Sequence, residues 1–175
     1  MDKQTFYFDD EEEGLSRSTS HPGFVSRFTE EFYYDVLDDF SPFGNDDGAD
    51  TLFELQDWYR KTKGKKDIMQ WLFKYIDGMG FKYKSQAVSE LVVTPEDIAE
   101  LNAEDPFCIP ALNNCIIAAA FGQHKISGQL DSRLKQAAIV SFKRQAIVAV
   151  ADNETYSSDF LERYKKMESD LAAVS

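Results

Sequence analysis

Residues 45–54 hold several carboxylates and an amide around Gly48, and this segment is the strongest candidate for cation binding in the sequence. Clustered oxygen atoms around a glycine turn are typical of calcium and magnesium sites. With Gly48 as the sixth residue of a calcium loop, the first ligand position falls on Phe43, which cannot bind a cation. Positions three, five and twelve hold acceptable ligands, namely Asn45, Asp47 and Glu54. A divalent cation site, serving an enzyme or a sensor, is therefore one interpretation of this segment.

Two other interpretations remain open for the same segment. Its carboxylates can meet the free backbone amides at the start of a helix. They can also belong to a surface that binds another protein. Paired acids could in addition act as general acid and base, but no nucleophile or oxyanion donor accompanies them in the sequence.

The rest of the sequence offers little further chemistry. It has no phosphate-binding loop, dinucleotide glycine pattern or serine elbow. His21 and His124 are isolated, without the spacing of a zinc site or a catalytic dyad. Cys108 and Cys115 would lie about 10 Å apart on one helix face, which is too far for a disulfide. We expect two buried, reduced thiols, and the sequence predicts no catalytic residue, metal ligand or cofactor.

The electrostatic character of the chain is set by its first third. Of the net charge of −12, residues 1–57 carry −13, from 16 acids against 3 bases, and residues 58–175 carry +1, from 15 against 16. Such a surface repels nucleic acid and attracts basic proteins or cations. The basic residues of segment 60–66 are expected to form a solvated turn at a helix end.

The hydrophobic pattern predicts helices almost throughout. Over residues 26–40, the spacing of Phe28, Phe32, Val36, Leu37 and Phe40 predicts one apolar helix face. Residues 81–93 are expected to be irregular, with a short extended piece at 91–93. A break is expected at Asp152 and Asn153. The other predicted helices cover residues 51–61, 67–79, 94–103, 111–121, 131–151 and 157–171.

These elements predict an all-α fold, a single compact domain of about six or seven helices with little or no strand. Residues 1–23 are expected to form an acidic, mobile N-terminal arm and residues 24–175 the helical domain. No apolar stretch approaches the length that a membrane span requires, and the N-terminus does not resemble a signal peptide. We therefore expect a cytoplasmic protein without membrane contact, in an oligomeric state that the sequence leaves open.

Three stretches of sequence are similar to the YfeS-like family of small uncharacterised bacterial proteins. They are residues 32–35 (FYYD), residues 41–51 (SPFGNDDGADT) and residues 128–135 (GQLDSRLK). The resemblance covers roughly residues 20–150. It implies a bacterial, cytosolic, helical domain, and it adds no catalytic residues because the family has no established activity.

The charge asymmetry favours a protein-binding role, with a basic protein as the expected partner and no direct contact with nucleic acid. Small acidic bacterial domains include immunity proteins, which neutralise a toxin by blocking a basic cleft. An immunity or antitoxin-like protein acting on a basic toxin, for example a nuclease, is thus the leading hypothesis. The predicted partner-binding residues are Tyr33, Tyr34, Asp35, Asp38, Asp39, Phe43, Asp46, Asp47, Asp50, Asp57 and Trp58.

Overall fold

The structure, a computed structural model, describes residues 4–151 and 158–175, and within these residues it contains helices and no strand. The predicted all-α class is therefore confirmed, with eight α-helices in the described residues instead of six or seven. One 3-10 helix, Glu31–Tyr34, lies between the first two. The α-helices are α1 (Pro22–Arg27), α2 (Asp46–Thr62), α3 (Ile68–Asp77), α4 (Ser85–Leu91), α5 (Pro95–Glu104), α6 (Cys108–Ser127), α7 (Ser132–Ala151) and α8 (Ser158–Ala172).

Helix α6 is the centre of the domain. It is almost uncharged and rich in alanine, and 18 of its 20 residues are buried. It packs against α1, α2, α3, α5 and α7, while α8 packs against α7. Small side chains let neighbouring helices approach closely. The helix predicted at residues 111–121 is confirmed and extends further at both ends.

Capping residues fix several helix starts. The hydroxyl of Thr94 accepts a hydrogen bond from the amide of Asp97, and Asp67 accepts from the amides of Met69 and Gln70. Both starts agree with the sequence-based prediction, because capping depends on local chemistry alone. Helix α2 starts five residues before the predicted Thr51, since Asn45 caps it.

The helix predicted over residues 26–40 is wrong. Helix α1 ends at Arg27, the short 3-10 helix follows, and residues 35–45 form turns. The carboxylate of Asp35 accepts a hydrogen bond from the amide of Leu37, and that of Asp38 accepts from Phe40. Such side-chain bonds to nearby amides compete with the helical bonding pattern, which explains the difference.

The irregular segment and extended piece predicted over residues 81–93 are also wrong, because α4 occupies residues 85–91. The amide of Ser85 donates to the carboxylate of Asp77, and its hydroxyl donates to the carbonyl of Phe73. Both partners belong to the end of α3. This helix start therefore depends on a contact between helices that local sequence does not reveal.

Residues 4–21, which belong to the predicted N-terminal arm, contact the C-terminal end of α6. The amide of Tyr7 donates to the carbonyl of Ile126, and the amide of His21 donates to that of Lys125. The Lys125 ammonium lies 2.7 Å from the carboxylate of Asp9. A buried cation in α6 thus gives the acidic segment a partner, which composition alone could not show.

Some expectations fall on parts of the chain that the structure leaves undescribed. The predicted break at Asp152 and Asn153 and the predicted helix start at residue 157 lie outside the described residues. Among the described helices, none combines the length and apolar character that crossing a membrane requires.

Candidate functional site

The outward side of α2 carries a row of acidic residues with one aromatic residue in its middle. We call this row the acidic face, and its members are Asp46, Asp50, Phe53, Glu54 and Asp57. Their spacing of four, three, one and three residues places them on one side of a helix. Phe53 is 66% exposed although it is a large apolar side chain. An exposed aromatic ring among carboxylates is the most distinctive surface feature of the helix.

The opposite side of α2 holds the acidic face in place. Leu52, Leu55 and Tyr59 are buried in the core, and Leu55 lies against Gly122 of α6. At its start, the side-chain oxygen of Asn45 accepts a hydrogen bond from the amide of Gly48 at 2.8 Å. The acidic face is therefore part of a rigid, capped and well-packed helix.

Part of the predicted acidic set is neutralised within the protein. Arg163 of α8 pairs with Asp38, and Lys166 lies 3.7 Å from Glu30. Arg17 pairs with Glu31 at 2.9 Å. Burial alone would raise the pKa of Asp38, but hydrogen bonds from Arg163 and from the amide of Phe40 hold it below its usual value. These carboxylates have partners already and are less available to another protein.

The acidic residues nearer to α2 differ in this respect. In the part of the chain that the structure describes, Asp39, Asp46 and Asp50 make no ion pair. Asp57 pairs with Lys61 one turn further along α2 at 2.5 Å, in an exposed position. Asp46 and Asp50 thus lie unpaired in the first turns of α2, on the helix side that carries Phe53.

The turn before α2 also exposes two apolar side chains. The side-chain amide of Asn45 donates to the carbonyl of Asp39 at 3.2 Å, so this turn lies beside the start of the helix. Val36 and Leu37 are 55% and 88% exposed. Both residues were expected on the apolar face of a helix over residues 26–40, and that helix does not form.

The aromatic residues predicted to anchor a partner have other positions. Tyr33, Phe43 and Trp58 are buried in the core, and the hydroxyl of Tyr33 donates to Asp170 of α8. Tyr34 is half-buried and donates to the carbonyl of Phe28. These four residues hold the domain together, and they present little surface to another protein.

Phe53 is the aromatic residue that the sequence analysis missed. Its spacing of seven residues from Asp46 and three from Asp50 would have placed it on their side of a helix. That signal was obscured because the predicted helix began at Thr51, after both carboxylates. Asp47 differs from these neighbours, since it is half-buried and accepts a hydrogen bond from Asn114 of α6.

The segment 45–54 has the geometry of a helix start and not that of a calcium loop. Asn45 caps α2, and Gly48 already belongs to the first helical turns. The hydroxyl of Thr51 donates to the carbonyl of Asp47 within the same helix. Within residues 4–151 and 158–175, no group of three or more His, Cys, Asp or Glu side chains is placed to hold a metal ion.

The cysteines and His124 are buried. Cys108 and Cys115 are free thiols, as expected, and burial raises their pKa values to about 11 and about 12. Thiols with such pKa values stay protonated near neutral pH and are poor nucleophiles. Burial lowers the pKa of His124, which packs against Phe24 and Phe28.

The fold and surface define an all-helical domain with a rigid acidic helix face. The chain is similar to the uncharacterized protein YfeS of Escherichia coli (strain K12), with 35% identity over 146 residues. The matched region is 82% of this chain and 57% of YfeS, so the chain spans little more than half of that relative. This similarity supports the predicted resemblance to a YfeS-like family. No protein-family model matches the chain, and no solved structure is significantly similar to it.

Proposed function

We propose that this protein is a binding module that recognises a basic protein through the acidic face of α2. The observation that carries the proposal is the exposed ring of Phe53 beside Asp46, Asp50 and Glu54, which make no ion pair in the described structure. Aromatic residues at the centre of an interface commonly supply much of its binding energy. Surrounding charges mainly set the association rate and the choice of partner.

The chemistry of the acidic face defines the expected partner surface. Burying the Phe53 ring in an apolar pocket would contribute about 1.5–3 kcal/mol. Lysine or arginine residues around that pocket would meet Asp46, Asp50 and Glu54. Val36 and Leu37, in the turn beside the helix start, extend the apolar contact area. The proposed partner is therefore a basic protein with an apolar depression at the centre of its charged surface.

In its specific form, the proposal is that the protein is an immunity or antitoxin-like inhibitor of a basic toxin, for example a nuclease. Two properties support it: the size of a single compact domain and the strong negative charge. An acidic protein of this size can cover a basic cleft and exclude a negatively charged substrate. The two free, buried cysteines fit a reducing compartment such as the cytoplasm.

A quantitative pull-down from the native host tests the proposal. The bait variant Asp46→Asn/Asp50→Asn/Glu54→Gln removes charge from the acidic face. The matched control, Glu96→Gln/Glu100→Gln/Glu162→Gln, makes the same change in net charge at exposed positions on α5 and α8. We expect one basic protein to be retained by the wild type and the control, and its recovery to fall by about tenfold with the α2 variant.

The outcome of the pull-down also decides whether the contact is specific. Partner recovery that falls equally with both variants would show that net charge, and not the acidic face, governs binding. Recovery that is unchanged with both variants would contradict the proposal. For the toxin form, co-expression of the recovered protein should inhibit growth, and the wild-type chain should restore growth while the α2 variant should not.

A further inference from the structure

A groove with a volume of about 300 Å³ lies between α4 and α5. Helix α4 packs against α3 and α7, whereas α5 packs against α6 and α7. Side chains from both helices line the space that remains between them. Two of them, Val88 of α4 and Leu101 of α5, are buried members of the hydrophobic core. The base of the groove is therefore apolar and continuous with the core.

The α4 side of the groove exposes further apolar surface to solvent. Leu91 is 72% exposed and Tyr83 is 43% exposed, and both line the groove. Ala87 also lines it and lies four residues before Leu91, on the same side of the helix. Contiguous exposed apolar surface marks sites where another molecule binds. This side of α4 is therefore a candidate contact surface.

The α5 side of the groove is acidic. Asp97, Glu100 and Glu104 line it at spacings of three and four residues, which places them on one side of α5. Glu104 already pairs with Lys82 at 2.6 Å and accepts a hydrogen bond from the hydroxyl of Tyr83. In the part of the chain that the structure describes, Asp97 and Glu100 make no ion pair. Since none of the described residues that line the groove is basic, this wall attracts positive charge.

The size and shape of the groove fit the side chains of a helix. An apolar cavity of about 150 Å³ holds one benzene molecule, so a groove of about 300 Å³ has room for two large apolar side chains. Amphipathic helices dock in such grooves through apolar residues that recur every three or four positions. A membrane surface is disfavoured, because its anionic headgroups would be repelled by the carboxylates on α5.

We propose that this groove binds a basic amphipathic helix of another protein. Two apolar side chains of that helix, three or four residues apart, fill the groove between Leu91 and Leu101. Lysine or arginine residues along one edge of the helix face Asp97 and Glu100. A second copy of this chain, with its net charge of −12, is a less complementary occupant. The groove shares no residue with the acidic face of α2, so the inference does not depend on the proposed function.

The probe for the groove is a dye-labelled synthetic peptide of about 18 residues, long enough to form a helix. Its leucines recur every three or four positions, and its other positions hold lysine and alanine. Fluorescence anisotropy measures its binding to the full chain, and we expect a dissociation constant of about 100 µM. A control peptide of the same composition, with its leucines spread around the helix, should bind about tenfold more weakly.

Two matched pairs of variants connect binding to the groove. Leu91→Ser removes apolar contact and should weaken binding about tenfold, whereas Val150→Ser changes a position that is 63% exposed outside the groove and should have no effect. Glu100→Gln removes a carboxylate that lines the groove and should weaken binding about threefold. Glu96→Gln makes the same change in charge on α5 outside the groove and should leave the affinity unchanged.

The proposal is contradicted if no saturable binding occurs up to about 1 mM protein, or if both peptides bind equally, which would mean that charge alone attracts them. Unchanged affinity of the Leu91→Ser variant would place the peptide elsewhere. Loss of binding in Asp50→Asn/Glu54→Gln would place it on the acidic face. The pull-down keeps the two surfaces apart as well, because its control carries Glu100→Gln. Recovery of a protein that docks in the groove should fall with that control and not with the α2 variant.

Discussion

Two neighbouring residues of α6, His124 and Lys125, are buried, but only Lys125 has polar partners for its whole charged group. Lys125 is fully buried, and it has the carboxylate of Asp9 and the carbonyl of Thr19 as partners. His124 has a buried Nδ1 atom with no hydrogen-bond partner in the structure. The cost of charging a side chain in the core therefore differs sharply between these neighbours, and each leads to a separate prediction.

The first prediction concerns the pH dependence of stability. Because burial lowers the pKa of His124 from its ordinary value of 6.5, the unfolded chain binds a proton more readily than the folded one. The stabilisation that the neutral imidazole contributes is complete above pH 6.5. It is lost as the pH falls from that value through the lower pKa of the folded state. We expect the free energy of unfolding to decrease between about pH 7.5 and pH 5.5.

The variant His124→Phe isolates this contribution, since it keeps an aromatic ring and removes the titration. Urea unfolding of the variant and the wild type should show a smaller pH dependence for the variant over the same range. An equal pH dependence of the two proteins would mean that other groups, and not His124, govern stability there.

The second prediction concerns the ion pair between Lys125 and Asp9. Lys125→Met leaves the Asp9 carboxylate and the Thr19 carbonyl without the ammonium group. Removing one partner from a buried ion pair costs about 3–5 kcal/mol. Denaturant unfolding should show this loss, and proteolysis within residues 4–21 should become faster because the segment loses one of its attachments to α6.

Lys61→Met is the matched control for this experiment. Lys61 pairs with Asp57 on the exposed side of α2, and exposed pairs contribute little to stability. Its free energy of unfolding should stay close to that of the wild type. If Lys125→Met were equally well tolerated, the ion pair would not be what holds the N-terminal segment.

At the scale of elements, the turn before α2 depends on two glycines of the segment that resembles the YfeS-like family. A Cβ atom on Gly44 would lie 1.9 Å from the carbonyl oxygen of Asp38, and one on Gly48 would lie 2.2 Å from that of Pro42. These backbone groups cannot move aside without opening the turn. The glycines are therefore needed for the close approach of two backbone segments.

The third prediction follows from this close approach. Gly44→Ala should destabilise the domain by about 1–3 kcal/mol, the usual range for overpacking, and should loosen the turn that positions α2. The control is Gly78→Ala, where the nearest oxygen lies 3.2 Å from the added Cβ and the φ angle is −63°. Thermal unfolding should separate the two variants. Equal melting temperatures would show that the turn adapts to a side chain.

The same elements show why part of the fold could be predicted and part could not. Thr94 and Asp67 cap their helices through bonds to amides two or three residues away, so local sequence was sufficient. The start of α4 depends on Asp77 and Phe73 of another helix, and no local signal shows it. In residues 35–40 the spacing of the apolar residues fitted a helix. Turns form there instead, because the carboxylates of Asp35 and Asp38 accept hydrogen bonds from nearby amides.

The candidate site was predictable to the same limited extent. Charge placed Asp46, Asp50 and Asp57 among the predicted partner-binding residues. The aromatic residues predicted beside them, Tyr33, Phe43 and Trp58, are buried. An aromatic residue in a helical pattern can face either way until its neighbours are known. The hydrogen bond from Asn114 to Asp47 could not be predicted, because the two residues are distant in the chain.

At the scale of the whole molecule, the negative charge of the first 57 residues is not distributed evenly over the structure. Ion pairs with Arg17, Lys125 and Arg163 neutralise part of it. The carboxylates of Asp39, Asp46 and Asp50 make no ion pair in the described structure. Within these 57 residues, exposed carboxylates without an ion pair therefore remain mainly in two places, the run of residues 10–13 and the start of α2 near Phe53.

Site-specific photo-crosslinking in the native host tests whether Phe53 lies in an interface. A photoreactive benzoyl-phenylalanine replaces Phe53 in one variant and Phe107 in the control. Both side chains are exposed, at 66% and 76%, but Phe107 is the residue before α6 and is not part of the acidic face. We expect a crosslink from position 53 to one protein of net positive charge and none from position 107. No crosslink from position 53, or the same products from both positions, would contradict it.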